Sequence, residues 1–238
     1  MTNATLTRSF IDLRAWAASA TVTVGEGDPF LAARAALPLA AGPITAGLIA
    51  LPQGAGIVSA MAADEFIIVE SGAVRIAGSD VDVTLTEGDS VVLHGGSSFS
   101  WTADADSRLL YMRRMGGPAG DGAIIPVDAN APLSPSGAPL AELLVGPTPA
   151  CRNNTDWKSD DGEFMAGTWD STPYYRRAMR YGHFELMYLL DGSVTFTDEI
   201  GAEATFSKGD IFLVEQGASC SWDSRVHVKK IYCIYRPA

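Results

Sequence analysis

The chain has 238 residues, of which 47% are apolar and 19% charged, and its formal net charge is −11. That is enough apolar material for packed cores in one large domain or two ordinary ones, and it excludes an intrinsically disordered chain. So acidic a protein repels phosphate backbones and anionic bilayers, so neither nucleic acid nor a membrane surface is expected as a partner.

Residues 1–20 carry Arg8, Asp12 and Arg14 among their apolar residues and lack the uninterrupted apolar core of a signal peptide. No run is long enough to span a bilayer. Phe10, Leu13 and Trp16–Ala17 recur at roughly helical spacing, which predicts a short helix or an arm packed on the domain. From Ile44 the pattern changes. Apolar, β-branched runs at Gly47–Leu51, Glu65–Glu70, Ala73–Ile76, Val81–Leu85, Ser90–Leu93 and Leu109–Met112 alternate with Gly, Pro, Asp and Ser clusters. Short strands at such spacing predict an all-β sandwich or barrel. Gly116–Pro139, rich in Gly, Pro and Ala, reads as a crossing between domains with one short strand at Ile124–Val127. Strands then resume at Leu143–Val145, Phe164–Trp169, Arg177–Arg180, Glu185–Leu190, Ser193–Thr197, Ala204–Phe206, Ile211–Val214 and Lys230–Tyr235. The three cysteines, Cys151, Cys220 and Cys233, are odd in number and without CxxC spacing, so they read as reduced thiols of a cytoplasmic protein.

The two strand-rich passages are copies. Gly47, Glu65 and Gly72 recur 120 residues later as Gly167, Glu185 and Gly192. After a single-residue slip, Gly88-Asp89, Gly96, Ser98, Trp101 and Tyr111 recur 121 residues later as Gly209-Asp210, Gly217, Ser219, Trp222 and Tyr232. Gly72 and Gly192 fall where a strand must reverse tightly, which calls for φ > 0. This is a tandem duplication of a domain of roughly 100 residues.

Glu-x6-Gly followed by Gly-Asp and a further Gly resembles the two motifs of the cupins, and two copies resemble a bicupin. The second half is similar to a subgroup that includes ureidoglycine aminohydrolase and the ethanolamine-utilisation cupin proteins, through Gly167-Thr-Trp-Asp-Ser-Thr-Pro173, Glu185…Gly192, Gly209-Asp210 and Trp222…Tyr232. The resemblance implies an all-β fold of two tandem cupin (jelly-roll) barrels. Residues 1–115 would form a diverged, structural barrel, 116–139 a linker, and 140–238 a barrel with the candidate site. It also implies a homodimer, since an open strand edge invites an isologous partner.

The family's metal, where present, rests on three His and one Glu. Carried over, those positions fall in the second half on Met179, Tyr181, Cys220 and Glu185, and in the first half Glu65 alone remains, with Phe99 opposite. The residues therefore favour no metal, with a divalent transition metal on Glu185, His183 and Cys220 as the alternative. An inward glutamate in an apolar barrel is expected to have a raised pKa, which suits Glu185 to acid–base work with His183 beside it; the alternative is a strand-start residue bonded to a nearby Arg or Lys, for which Arg176, Arg177 and Arg180 are available. Tyr181, Cys220, Trp222 and Trp169 are the expected ligand-binding residues, with Tyr175 and Tyr188 nearby. Arg176, Arg177, Arg180, Lys229 and Lys230 read either as a grip on a substrate carboxylate or as solvated strand faces. His94 and His227 are expected at the surface. The implied function is binding or conversion of a small polar metabolite of ureido, amino or carboxylate type, by an aminohydrolase-like enzyme. The alternative is a metal-free binding or accessory protein without turnover.

Overall fold

The glycine-punctuated runs do pair as strands. The computed structural model describes residues 8–238, which divide into two units. Ala15–Val127 with Ser159–Asp161 form the first, and residues 8–14, Asp128–Lys158 and Gly162–Ala238 form the second. Each unit is a jelly roll of two antiparallel sheets, seven strands and four in the first, seven and five in the second. Among the described residues, no helix is long and apolar enough to cross a membrane.

In the second unit the large sheet places Phe184–Asp191 between Ile211–Val214 and Val228–Tyr235. Phe164–Ser171 and then Cys151–Lys158 continue it. The smaller sheet is built on Tyr174–Arg180, Ser219–Ser224 and Ser193–Thr197. Alternation sends Glu185, Met187 and Leu189 to the barrel interior. There Met187 and Leu189 join a core with Phe196, Phe212 and Trp222. The first unit repeats this plan, and Ile67 and Val69 take the equivalent inward places beside Glu65.

The duplicated glycines have steric reasons. A Cβ on Gly47 would collide with the Ala35 carbonyl oxygen, and one on Gly167 with that of Asn154, so each lets a neighbouring strand close in. Gly72 and Gly192 turn with φ of +83° and +78°. A Cβ on Gly192 would also strike the His227 carbonyl oxygen. Gly192→Ala is therefore expected to cost about 3 kcal/mol, read as a shift in urea midpoint at unchanged slope.

Three sequence expectations are corrected. Residues 8–14 belong to the second barrel, outside the first domain assigned to 1–115. Ile11 and Asp12 pair with Leu213 and Phe212, covering the open edge of Ile211–Val214, while Phe10 packs on Phe196 and Phe206. The stretch 116–139 is more than a linker. Ile124–Pro126 pairs with Ser90–Leu93 of the first barrel, and Ser134–Ser136 with Cys151–Lys158 of the second. Strands at Gly54–Val58, Phe99–Ala103, Cys151–Lys158 and Ser219–Ser224 were not foreseen, because their Gly, Ser, Asn and Asp content reads as turn.

Candidate functional site

The second barrel holds an open cavity of about 870 Å³. Its walls come from the inward faces of both sheets. Cross-strand pairing sets Lys230 beside Trp169, and Asn153 on the far side of Trp169. Glu185 lies two residues along from Met187, which is paired with Tyr232. Trp222, Arg176, Tyr174 and Met179 face them from the smaller sheet.

At the centre is a buried ion pair. The Lys230 ammonium donates to Glu185 Oε1 at 2.8 Å, with side chains 7% and 9% exposed. It also lies 4.8 Å and 4.9 Å from the ring centres of Trp169 and Trp222, over their faces. His183 Nε2 is 3.4 Å from the other oxygen, Glu185 Oε2. Burial by itself would raise the Glu185 carboxyl, but Lys230, and then His183, outweigh it and hold the group well below the usual carboxylate range. The raised pKa expected for Glu185 is thus corrected. The alternative, a Glu185 bonded to a nearby basic residue, is what the structure shows, with Lys230 in that place instead of Arg176, Arg177 or Arg180.

A second buried cation completes the wall. Arg176 donates to the carbonyls of Arg177 and Cys220 at 3.1 Å and 3.2 Å, and to the Tyr181 hydroxyl at 3.0 Å. None of these partners is a carboxylate. Five N–H groups belong to a guanidinium. The two left over are the Nε–H and one hydrogen on Nη2. The Tyr181 ring in turn lies 5.2 Å from that of His183, so Arg176, Tyr181, His183, Glu185 and Lys230 run as one polar arc around the cavity. Arg236 adds a third cation to the lining, against Glu185 as the carboxylate.

Of the sequence-derived site residues, Glu185, His183, Tyr181, Trp222 and Trp169 all line the cavity. Cys220 does not. It is buried in the apolar core behind the wall, where burial pushes its thiol up to about 12, and it serves Arg176 through its carbonyl. Tyr175 and Tyr188 also stay outside, and Tyr174 lines the cavity in their place, stacked on Trp222 at 5.8 Å. Arg177 and Arg180 are solvent-facing strand residues, whereas Arg176 and Lys230 are 4% and 6% exposed. Asn153, Thr155 and the 136–143 segment complete the lining, and were missed because Cys151–Lys158 reads as a loop. His227 lies at the surface as expected, 44% exposed at the side chain and 3.2 Å from Asp170. His94 does not: it is buried and its Nδ1 lies 2.6 Å from Asp121.

The first barrel is closed where the second is open. Glu65 is fully buried and held by both terminal nitrogens of Arg34 at 2.9 Å, with Arg113 on the same carboxylate. Phe99 opposite is thus not its only neighbour. Phe30, on the turn Pro29–Ala32 capped by Asp28, packs edge-on against Phe99 with ring centres 5.1 Å apart. Phe30 and Phe99 belong to the buried core of that barrel.

The fold is that of two tandem cupin-type (jelly-roll) β-barrels. Residues 158–232 match the family model of the EutQ-like cupin domain. The chain is similar in structure to a protein of unknown function from Pseudomonas syringae pv. tomato str. DC3000, of the DUF861 family, with 29% identity and a TM-score of 0.82 over 91% of this chain and 93% of that one. It also shares its fold with a cupin 2 conserved barrel domain protein from Leptotrichia buccalis (12% identity, TM-score 0.60, 98% of each chain). A third likeness is to Ylba from E. coli, also DUF861 (13% identity, TM-score 0.58, 100% of this chain and 96% of that one). No curated protein matches the chain in sequence.

The donors do not fit the metal that the cupin fold implies. Lys230 and His183 take the two oxygens of Glu185, and the Tyr181 hydroxyl accepts from Arg176. The thiol of Cys220 lies outside the cavity lining. Among the described residues, no group of three His, Cys, Asp or Glu side chains gathers as a metal site.

Proposed function

We propose that the second barrel binds a small polar metabolite that carries a carboxylate and, beyond it, a ureido, amino or hydroxyl group. The observation that carries this reading is Arg176. It is a buried guanidinium in an acidic chain, bonded to two carbonyls and a phenol and to no carboxylate. Burying a cation without a counter-ion is costly, and a ligand carboxylate would supply one through the two spare N–H groups. The opposite wall supports the rest of the ligand, since Asn153, Thr155 and Tyr232 offer neutral hydrogen-bonding groups. Any proton transfer falls to His183, oriented by Glu185, because Glu185 itself is held ionised. That commitment of Glu185 to Lys230 is also what supports the metal-free binding reading.

The test is calorimetric titration with N-carbamoylglycine and with its uncharged primary amide. The acid is expected to bind and the amide to bind at least about tenfold more weakly, as a lost charge-assisted bond implies. Arg176→Met is expected to narrow that difference. Equal affinity of acid and amide for the wild-type chain would sink the carboxylate reading.

A further inference from the structure

We propose that Lys230 is the built-in cation of the second barrel: its ammonium holds the place on the motif glutamate that a divalent metal would take, and it is a specificity-determining residue toward the bound anion. The part concerning the ligand rests on the carboxylate reading above, and the part concerning metal does not.

The ammonium is seated as a resident ion would be. One N–H goes to Glu185 Oε1 at 2.8 Å, another lies against Met187 Sδ at 3.2 Å, and two indole faces enclose the rest. An ammonium has three N–H groups. The third has no acceptor among the described residues, and Lys230 lines the cavity. A metal approaching Glu185 would have to displace a cation that is covalently part of the chain. Its two flanking indoles contribute quadrupole attraction but no donor atom suited to a metal.

The first barrel reaches the same end by other residues. Strand pairing makes Leu109 the counterpart of Lys230, Arg113 that of Ile234, and Arg34 that of Asn153. Glu65 is neutralised there by Arg34 and Arg113, from positions that in the second barrel hold Asn153 and Ile234. Both copies thus satisfy the motif glutamate with the chain's own cations, drawn from different positions. In the first copy two guanidiniums hold the carboxylate from two strands. In the second a single slender ammonium does the task from one side, and the small Asn153 leaves the space open for a ligand.

The experiment uses the full chain, purified without a metal-chelating tag and dialysed against a chelator. Mn²⁺, Ni²⁺ or Zn²⁺ is added singly, excess is removed, and bound metal is counted by mass spectrometry. No stoichiometric retention and an unchanged thermal midpoint are expected. A stoichiometric metal lost on Glu185→Gln would overturn the inference. In the second arm, Lys230→Met is expected to weaken N-carbamoylglycine binding about tenfold, with partial rescue by Lys230→Arg. Wild-type affinity in a folded Lys230→Met variant would overturn the specificity role while leaving the carboxylate reading intact. Failure of the wild-type chain to bind any carboxylate would overturn that reading and the specificity role that depends on it, and the metal arm still decides the rest. That arm needs no variant at Lys230, so it stands even where Lys230→Met does not fold.

Discussion

Lys230→Met is expected to destabilise the second barrel by about 3–5 kcal/mol, the usual cost of removing one partner from a buried ion pair. The reason is the charge left behind. Glu185 sits 7% exposed, and without Lys230 it keeps His183 as its polar neighbour. The pH dependence should change sign as well. In the wild-type chain the Glu185 carboxyl is held below its unfolded value. Its contribution is therefore present above the unfolded carboxylate range, near pH 4.3, and is lost as pH falls through the lower folded value. In the variant, burial is no longer outweighed and the folded carboxyl rises above the unfolded one. Stability is then present at low pH and is lost as pH rises toward neutrality. Urea denaturation between pH 4 and 8 separates the cases: the variant's midpoint should fall with pH relative to wild type. Replacing both partners, Lys230→Met with Glu185→Leu, should recover most of the loss, because no charge is then stranded. A parallel pH dependence in Lys230→Met and wild type would show that the pair does not hold Glu185 ionised.

Glu65→Leu should cost a similar amount in the first barrel, about 3–5 kcal/mol. Arg34 and Arg113, with side chains 13% and 20% exposed, would lose their shared carboxylate and stand as like charges side by side. Arg34 would keep its bonds to the Phe30 carbonyl and its place 4.7 Å from the Tyr111 ring centre. The repulsion would therefore be relieved by swinging Arg113 toward solvent. Differential scanning calorimetry should show a lowered transition, and rising salt should restore part of it by screening. No such salt rescue is expected for Lys230→Met, where the stranded charge is enclosed. A Glu65→Leu chain as stable as wild type would mean that the arginines, not the carboxylate, are the essential half of the cluster.

How much of this was legible depended on where physics leaves a linear trace. The repeat was visible because glycines forced by close approach, at Gly47 and Gly167, and by φ > 0, at Gly72 and Gly192, accept no substitute cheaply. The inward glutamates were visible as matched strand positions. Lys230 stood out only as one of five basic residues, and its place on Glu185 was hidden because both faces of Val228–Tyr235 are buried, so the strand shows no alternation of apolar and polar. Cys151–Lys158 was hidden because Asn and Asp are poor strand formers. Pairing with Phe164–Ser171 overrides that weak preference and carries Asn153 and Thr155 into the cavity. The arm at 8–14 was hidden because the edge it covers lies some two hundred residues away in the chain, at Ile211–Val214.

The sequence by itself determined that this chain is an all-β duplication with a carboxylate at the same place in each copy, because turns, strand periods and steric glycines are local. Only the tertiary structure decided what each carboxylate meets. Counter-ions arrive from strands distant in sequence, and a buried charge takes its state from whichever cation lies within hydrogen-bonding reach. Arg34 and Arg113 close the first barrel around Glu65, while Lys230 compensates Glu185 and leaves the second barrel open.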